Sequence, residues 1–132
     1  MLTLAITGFE VDPARITKIL EIEPTAVAHK GVVSLPSKRE KTFNGWWREA
    51  HAARLSSGAD HEKALSLIID LLRGREERFA RLREEVRPEA VGIYGGFYLA
   101  QDEQAGVWLD PAQMRVLADC KVEWGLDLFS AR

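Results

Sequence analysis

Glu49 and His51 stand two apart in the run Trp46-Trp47-Arg48-Glu49-Ala50-His51. On a strand that spacing puts a carboxylate and an imidazole on one face, the pairing that acid/base or metal chemistry requires. His29 and His61 are the histidines that a fold could bring to them. Zinc asks for three or four rigidly held ligands, and the chain has no His-x-x-x-His, Cys-x-x-Cys or His-Glu-x-x-His spacing, so no metal site and no cofactor are expected. Nucleophiles are equally unframed. Ser34, Ser56, Ser57 and Ser130 lack a Gly-x-Ser-x-Gly setting, and Cys120 has no histidine partner in sequence and closes an apolar helical pattern, where a buried inert thiol is expected. Gly92, Gly95 and Gly96 lie inside an apolar strand with no Gly-Lys-Ser/Thr after them, so they serve backbone geometry rather than a phosphate. No residue is assigned a catalytic role.

Residues suited to contact are better placed. Tyr94 and Tyr98 fall on one side of a strand, and an exposed Tyr-Gly-Tyr surface with Trp47 nearby would make a hydrophobic interface patch. Two readings follow. The first is a non-enzymatic interaction module binding itself, or another protein as immunity-type and accessory domains do, through Trp47, Tyr94 and Tyr98. The second is a small-ligand or metal-dependent enzyme built around Glu49 and His51, a pair that otherwise reads as a solvated strand face. The basic and aromatic group of Lys38, Arg39, Lys41, Trp46 and Trp47 resembles a nucleic-acid footprint, but Trp46 and Trp47 point to opposite faces and Glu40 and Glu49 dilute the charge. The arginines from Arg73 to Arg83 alternate with Glu76, Glu77, Glu84 and Glu85, as on a solvated helix face. Nucleic acid is not an expected partner.

The elements that must position these residues are announced by punctuation. Gly8-Phe9-Glu10-Val11-Asp12-Pro13-Ala14 returns as Gly106-Val107-Trp108-Leu109-Asp110-Pro111-Ala112. Each Asp can accept from free first-turn amides and each Pro fits the first helical position. The match reads as shared capping chemistry, with duplication of a half-domain as the alternative. Leu2 to Phe9 alternates as a strand apolar on both sides, which places it centrally. A helix is expected from Pro13 to about Glu21, an extended piece from Val27 to Leu35, and an exposed hairpin tip over residues 36–41, with Asn44-Gly45 read as turn residues. A strand from Trp46 to Arg54 follows, with Trp46, Arg48 and Ala50 on one side and Trp47, Glu49 and His51 on the other.

Leu65, Ile68, Ile69 and Leu72 give the clearest helical period, Gly74 stops it, and a second helix occupies Arg75 to Val86. The long strand from Val91 to Leu99 carries Gly95-Gly96, where a bulge or sharp twist is expected. The Asp110-Pro111 helix and a strand from Val122 to Phe129 complete the order. It predicts an α+β fold, an antiparallel or mixed sheet with helices mainly on one face, similar to a ferredoxin-like sandwich with an added helix.

The chain has 132 residues, the size of one domain, and 1–132 is read as one; 46% hydrophobic residues suffice for a core. The 18 basic and 20 acidic residues set up no field favouring a polyanion. The longest apolar run, Val91 to Ala100, is half a membrane span, and Met1 to Ile6 lacks a basic leader and cleavage site. A cytoplasmic location without membrane contact is expected.

Ile6-Thr7-Gly8, Asp12-Pro13, Ile16, Leu20, Pro24-Thr25, Lys30-Gly31, the Trp46-Trp47 strand, the amphipathic helix and the closing Leu126-Asp127-Leu128-Phe129 strand together resemble a bacterial family catalogued as domain of unknown function 4279. The resemblance spans nearly the whole chain. It implies a small stand-alone cytoplasmic domain with no established reaction, so no catalytic residue is carried over. Where such proteins often finish on an acidic residue, an aliphatic and a Tyr, this chain has Asp127-Leu128-Phe129 and lacks the hydroxyl.

Overall fold

Strand β1 (Leu2–Phe9) is the centre of the molecule, and its alternation decides what goes where. Leu2, Leu4 and Ile6 are completely buried on one face, whereas Thr3 and Thr7 on the other are half-buried. The computed structural model describes residues 2–34, 39–40, 42–50, 58–99 and 106–130. Along these the order is β1, α1 (Ala14–Leu20), β2 (Ala26–Ala28), β3 (Val33–Ser34), β4 (Arg39–Glu40), β5 (Asn44–Ala50), α2 (Gly58–Leu72), α3 (Glu76–Glu85), β6 (Ala90–Leu99), α4 (Pro111–Cys120) and β7 (Glu123–Ser130).

The main sheet has five strands in the order β2-β5-β1-β6-β7. β5 and β6 flank β1, both antiparallel to it, and β2 pairs antiparallel with β5. These four strands reproduce the ferredoxin-like arrangement, in which each of two interlocked β-α-β units leaves room for a strand of the other. The added α4 lays β7 parallel against β6, which makes the sheet mixed. The α+β class and its ferredoxin-like variant are as the element order predicts. β3 and β4 form a separate two-stranded hairpin.

All four helices feed one apolar cluster with Leu2, Leu4 and Ile6. Ile16, Ile19 and Leu20 come from α1, Leu65, Ile68, Ile69 and Leu72 from α2, Phe79 and Leu82 from α3, and Val116, Leu117 and Cys120 from α4. A fully buried Leu or Ile side chain contributes about 1.5–3 kcal/mol, so this layer dominates the stability. Trp46 is the largest member, and its indole Nε1 donates to Thr17 Oγ1 at 3.0 Å.

The second Asp-Pro start behaves as its chemistry requires, whereas at the first Pro13 is itself the N-cap. Asp12 Oδ1 accepts from the amide of Ala14 at 2.9 Å, and Asp110 with Gln113 forms a reciprocal capping box, Pro111 taking the first helical position. At the other ends of α1 and α2, Arg75 joins both helices, donating from Nε to Leu20 O and from Nη1 to Leu71 O. A guanidinium there meets carbonyls that have no partner within their own helix.

Four expectations are corrected. The first helix begins at Ala14 rather than Pro13 and ends at Leu20. The extended piece from Val27 is two elements, β2 and β3, and only β2 joins the main sheet. Gly95-Gly96 carries no bulge, since Gly95↔Leu126 and Gly96↔Asp127 continue the ladder without a shift. The irregularity lies instead in β1 between Thr7 and Phe9, where Gly8 takes φ +73°.

Asn44-Gly45 is not a turn but the start of β5, a strand described as far as Ala50; 51–54 of the expected strand lie outside the described residues. Asn44 is buried because its side chain has long-range work. Oδ1 accepts from the amide of Lys30 at 2.6 Å, and Nδ2 donates to Phe9 O at 2.9 Å and Val11 O at 3.2 Å. Asn44→Ala leaves a donor and two acceptors without their partner. The expected loss is about 2–4 kcal/mol, read as a lower urea midpoint with an unchanged slope.

Candidate functional site

The face of the sheet opposite the helices carries a shallow, open trough of about 510 Å³, lined by Thr3, Ala5, Ala26, Trp47, Glu49, Tyr94, Gly95 and Asp127. No helix residue is among them. Strand parity builds it, because Trp47 and Glu49 alternate with the buried Trp46, and Tyr94 alternates with the buried Ile93. Register then aligns the rows. Ala5 lies between Trp47 and Gly92, Thr3 between Glu49 and Tyr94, and Tyr94 beside Gly125.

Glycines make room for the two rings. A Cβ on Gly45 would run into the six-membered ring of Trp47, and one on Gly92 into the phenol of Tyr94. Each ring therefore lies back over the residue two before it. A Cβ on Gly125 would stand 3.2 Å from Tyr94 Cδ1, so the phenol also leans on the β7 side. Tyr94 and Trp47 stay half-exposed, and Ala5 between them is only 7% exposed although no helix covers it. The Tyr94 hydroxyl donates to Glu123 Oε1 at 3.2 Å. Burial first, then the bond to Glu123 and its negative charge, push the phenol's pKa above its ordinary value, so the donor is retained.

Trp47, Glu49 and Tyr94 thus share one surface. Tyr98 continues β6 opposite Phe129, but its side chain lies outside what the structure describes, and His51 lies outside the described residues. Neither of the other histidines joins Glu49. His29 follows β2 beyond Ala28, whose partner is Gly45, at the far end of β5. His61 is fully buried on α2, on the helix side, edge-on to Phe97 with ring centroids 5.3 Å apart. Among the described residues no group of three or more His, Cys, Asp or Glu could hold a metal ion. Cys120 is buried with its thiol pushed up to about 11, chiefly by desolvation and then by the charges of Glu76 and Asp119. A nucleophile needs its thiolate, and this site suppresses it.

Asp127, Thr3 and Ala5 were not singled out by residue type. Their signal was alternation in β1 and β7, which assigns each residue to a face but not to a neighbour.

Residues 1–130 match the family model described as domain of unknown function, DUF4279. The chain belongs to the DUF4279 family. Comparison with curated proteins and with solved structures gives no match. The assignment agrees with the family resemblance, and the Trp46-Trp47 strand quoted for that resemblance supplies Trp46 to the core and Trp47 to the trough's β5 wall. No helix among the described residues is long and apolar enough to cross a membrane.

The buried His61 sets a pH dependence. Desolvation, then the positive N-terminus, lower its pKa from the ordinary 6.5, and Glu62 opposes them more weakly. The unfolded chain therefore binds the proton more readily than the folded one, so stability is fully present above about pH 6.5 and is lost as pH falls toward the lowered folded value. Urea midpoints measured between pH 5 and pH 8 are expected to fall on the acid side in the wild type and to fall less in His61→Leu. Parallel curves would mean that His61 is not the group responsible.

Proposed function

We propose that this chain is a non-enzymatic interaction module that binds another protein through the open face of its sheet, and that it works in the cytoplasm. One observation carries the reading. Trp47 and Tyr94, large side chains held half-exposed over glycines, flank a shallow floor of Thr3 and Ala5 rather than a deep cleft. Aromatic rings fixed by their surroundings lose little freedom on binding, and such residues anchor protein interfaces. Among the described residues the trough is lined by no Lys or Arg, which makes it a poor match for a phosphate backbone. Self-association through the same face is the second form of the proposal. The enzyme reading around Glu49 and His51 has less support, with His29 and His61 both placed away from Glu49.

The test compares wild type with a Trp47→Ala/Tyr94→Ala double variant in two measurements, sedimentation of the purified protein and crosslinked capture in the native host. Both residues are partly exposed, so the double variant is expected to stay folded by thermal melting. It is expected to lose a specific partner, or a dimer, that the wild type forms. Identical partners and identical oligomeric state would remove the proposal.

A further inference from the structure

The two edges of the main sheet are unlike. At one, β2 is short, Ala26–Ala28, and the stretch of β5 beyond it is closed by Thr25, whose amide donates to Trp47 O at 2.7 Å and whose Oγ1 accepts from the Glu49 amide at 3.0 Å. The other edge is β7, which pairs with β6 along its whole length without a register shift; among the described residues no strand pairs with its outer side. Edge strands are ordinarily protected by lysine, proline or a bulge, because their outward amides and carbonyls template another strand. The run Glu123-Trp124-Gly125-Leu126-Asp127-Leu128-Phe129-Ser130 has none of the three. Leu128 is 66% exposed on it and Leu126 half-buried. Of its charges, Glu123 and Asp127, the first accepts from the Tyr94 hydroxyl and is drawn toward β6, away from the edge.

We infer that β7 pairs antiparallel with β7 of a second copy, joining the two sheets into one. A two-fold axis perpendicular to the sheet keeps both helix layers on one side, so each residue must meet one of its own parity. Few registers remain. Centring on Gly125 sets Glu123 opposite Asp127 twice, and centring on Asp127 sets that carboxylate against its copy, although like charges directly opposite destabilise a pair. Centring on Trp124 or Leu128 leaves much of the strand unpaired. Centring on Leu126 pairs Glu123 with Phe129, Trp124 with Leu128, Gly125 with Asp127, and Leu126 with its copy. That register aligns the strand from Glu123 to Phe129 and puts no carboxylate opposite another. Its apolar pairs fall on the side where Trp124 packs against the core, and they cover Leu128. The outer backbone calls for a strand, and this sequence is complementary to itself, which selects a second copy over an unrelated segment. The pairing uses the edge and not the open face, so it stands apart from the proposal above. It sets two troughs on the same side of one continuous sheet, where a partner with two contact segments is held by both.

The experiment is sedimentation velocity on the whole chain and its variants, with thermal melting to check the fold. The wild type is expected to dimerise at high micromolar concentration. Leu126→Lys and Leu126→Glu each set like charges together at the two-fold axis and should dimerise at least about tenfold more weakly, whereas an equimolar mixture of the two should recover the dimer. Leu126→Cys should form a disulfide-linked dimer under mild oxidation, because directly opposite residues hold their Cα atoms about 4.5–5.5 Å apart in an antiparallel pair. Leu128→Cys leaves them about 14 Å apart and should not crosslink. Native Cys120 is buried and adds no background. Should the charged variants melt early, the two cysteine variants decide. A monomeric wild type at that concentration, equal crosslinking at both positions, or a dimer untouched by a folded Leu126→Lys overturns the inference. A dimer lost in Trp47→Ala/Tyr94→Ala but kept in Leu126→Lys lies on the open face and overturns it too. A dimer kept in Trp47→Ala/Tyr94→Ala and lost in Leu126→Lys supports the edge pairing, whatever becomes of a partner captured through the face.

Discussion

The register between β1 and β5 is the constraint on which the molecule depends. Side chains on a strand alternate with a period of two, so a slip of one residue would send Trp46 out and Trp47 in and exchange the two faces along the whole strand. Asn44 opposes that slip. It ties the first residue of β5 to Phe9 and Val11 on one side and to Lys30 on the other, just beyond the bulge at Gly8. A neutral amide suits the position because it must donate twice and accept once in a place with little water.

From that register both halves of the architecture follow. The inward set, Leu2, Leu4, Ile6 and Trp46, belongs to the apolar cluster to which all four helices contribute. The outward set, Thr3, Ala5, Trp47 and Glu49, forms half of the trough. Tyr94 and Asp127 complete it from β6 and from β7, the strand outside the four-stranded ferredoxin-like unit. The site is thus shared between the basic fold and its addition. The polar bonds at helix ends, Asp12 and Asp110 at starts and Arg75 at two finishes, fix the helix layer without drawing on the open face.

Much of this was readable from local chemistry. The Asp110-Pro111 start, the helical period of Leu65 to Leu72, the two-sided apolarity of β1 and the opposite facing of Trp46 and Trp47 each depend on a few adjacent residues, and each is found in the fold. The misreadings share a cause. Asn44-Gly45 has the composition of a turn, but its partners lie up to 35 residues away, and no local rule sees them. Gly95-Gly96 looks like a weak point, yet a parallel neighbour carries the ladder straight through it. Trp47, Glu49 and Tyr94 could be named as face residues from alternation, whereas their meeting needed β1 between them and the cross-strand offsets on both sides. Asp127 was beyond reach for the same reason. Its proximity to Tyr94 comes from the α4 crossover that lays β7 beside β6.

β5 and β6 run in the same direction, since each is antiparallel to β1. The indole over Gly45 and the phenol over Gly92 are therefore folded down toward the same rim, like two shingles laid in one course. The surface has a grain. Both rings lean the same way along their strands, so the face is not symmetric between its Glu49 and Gly45 ends.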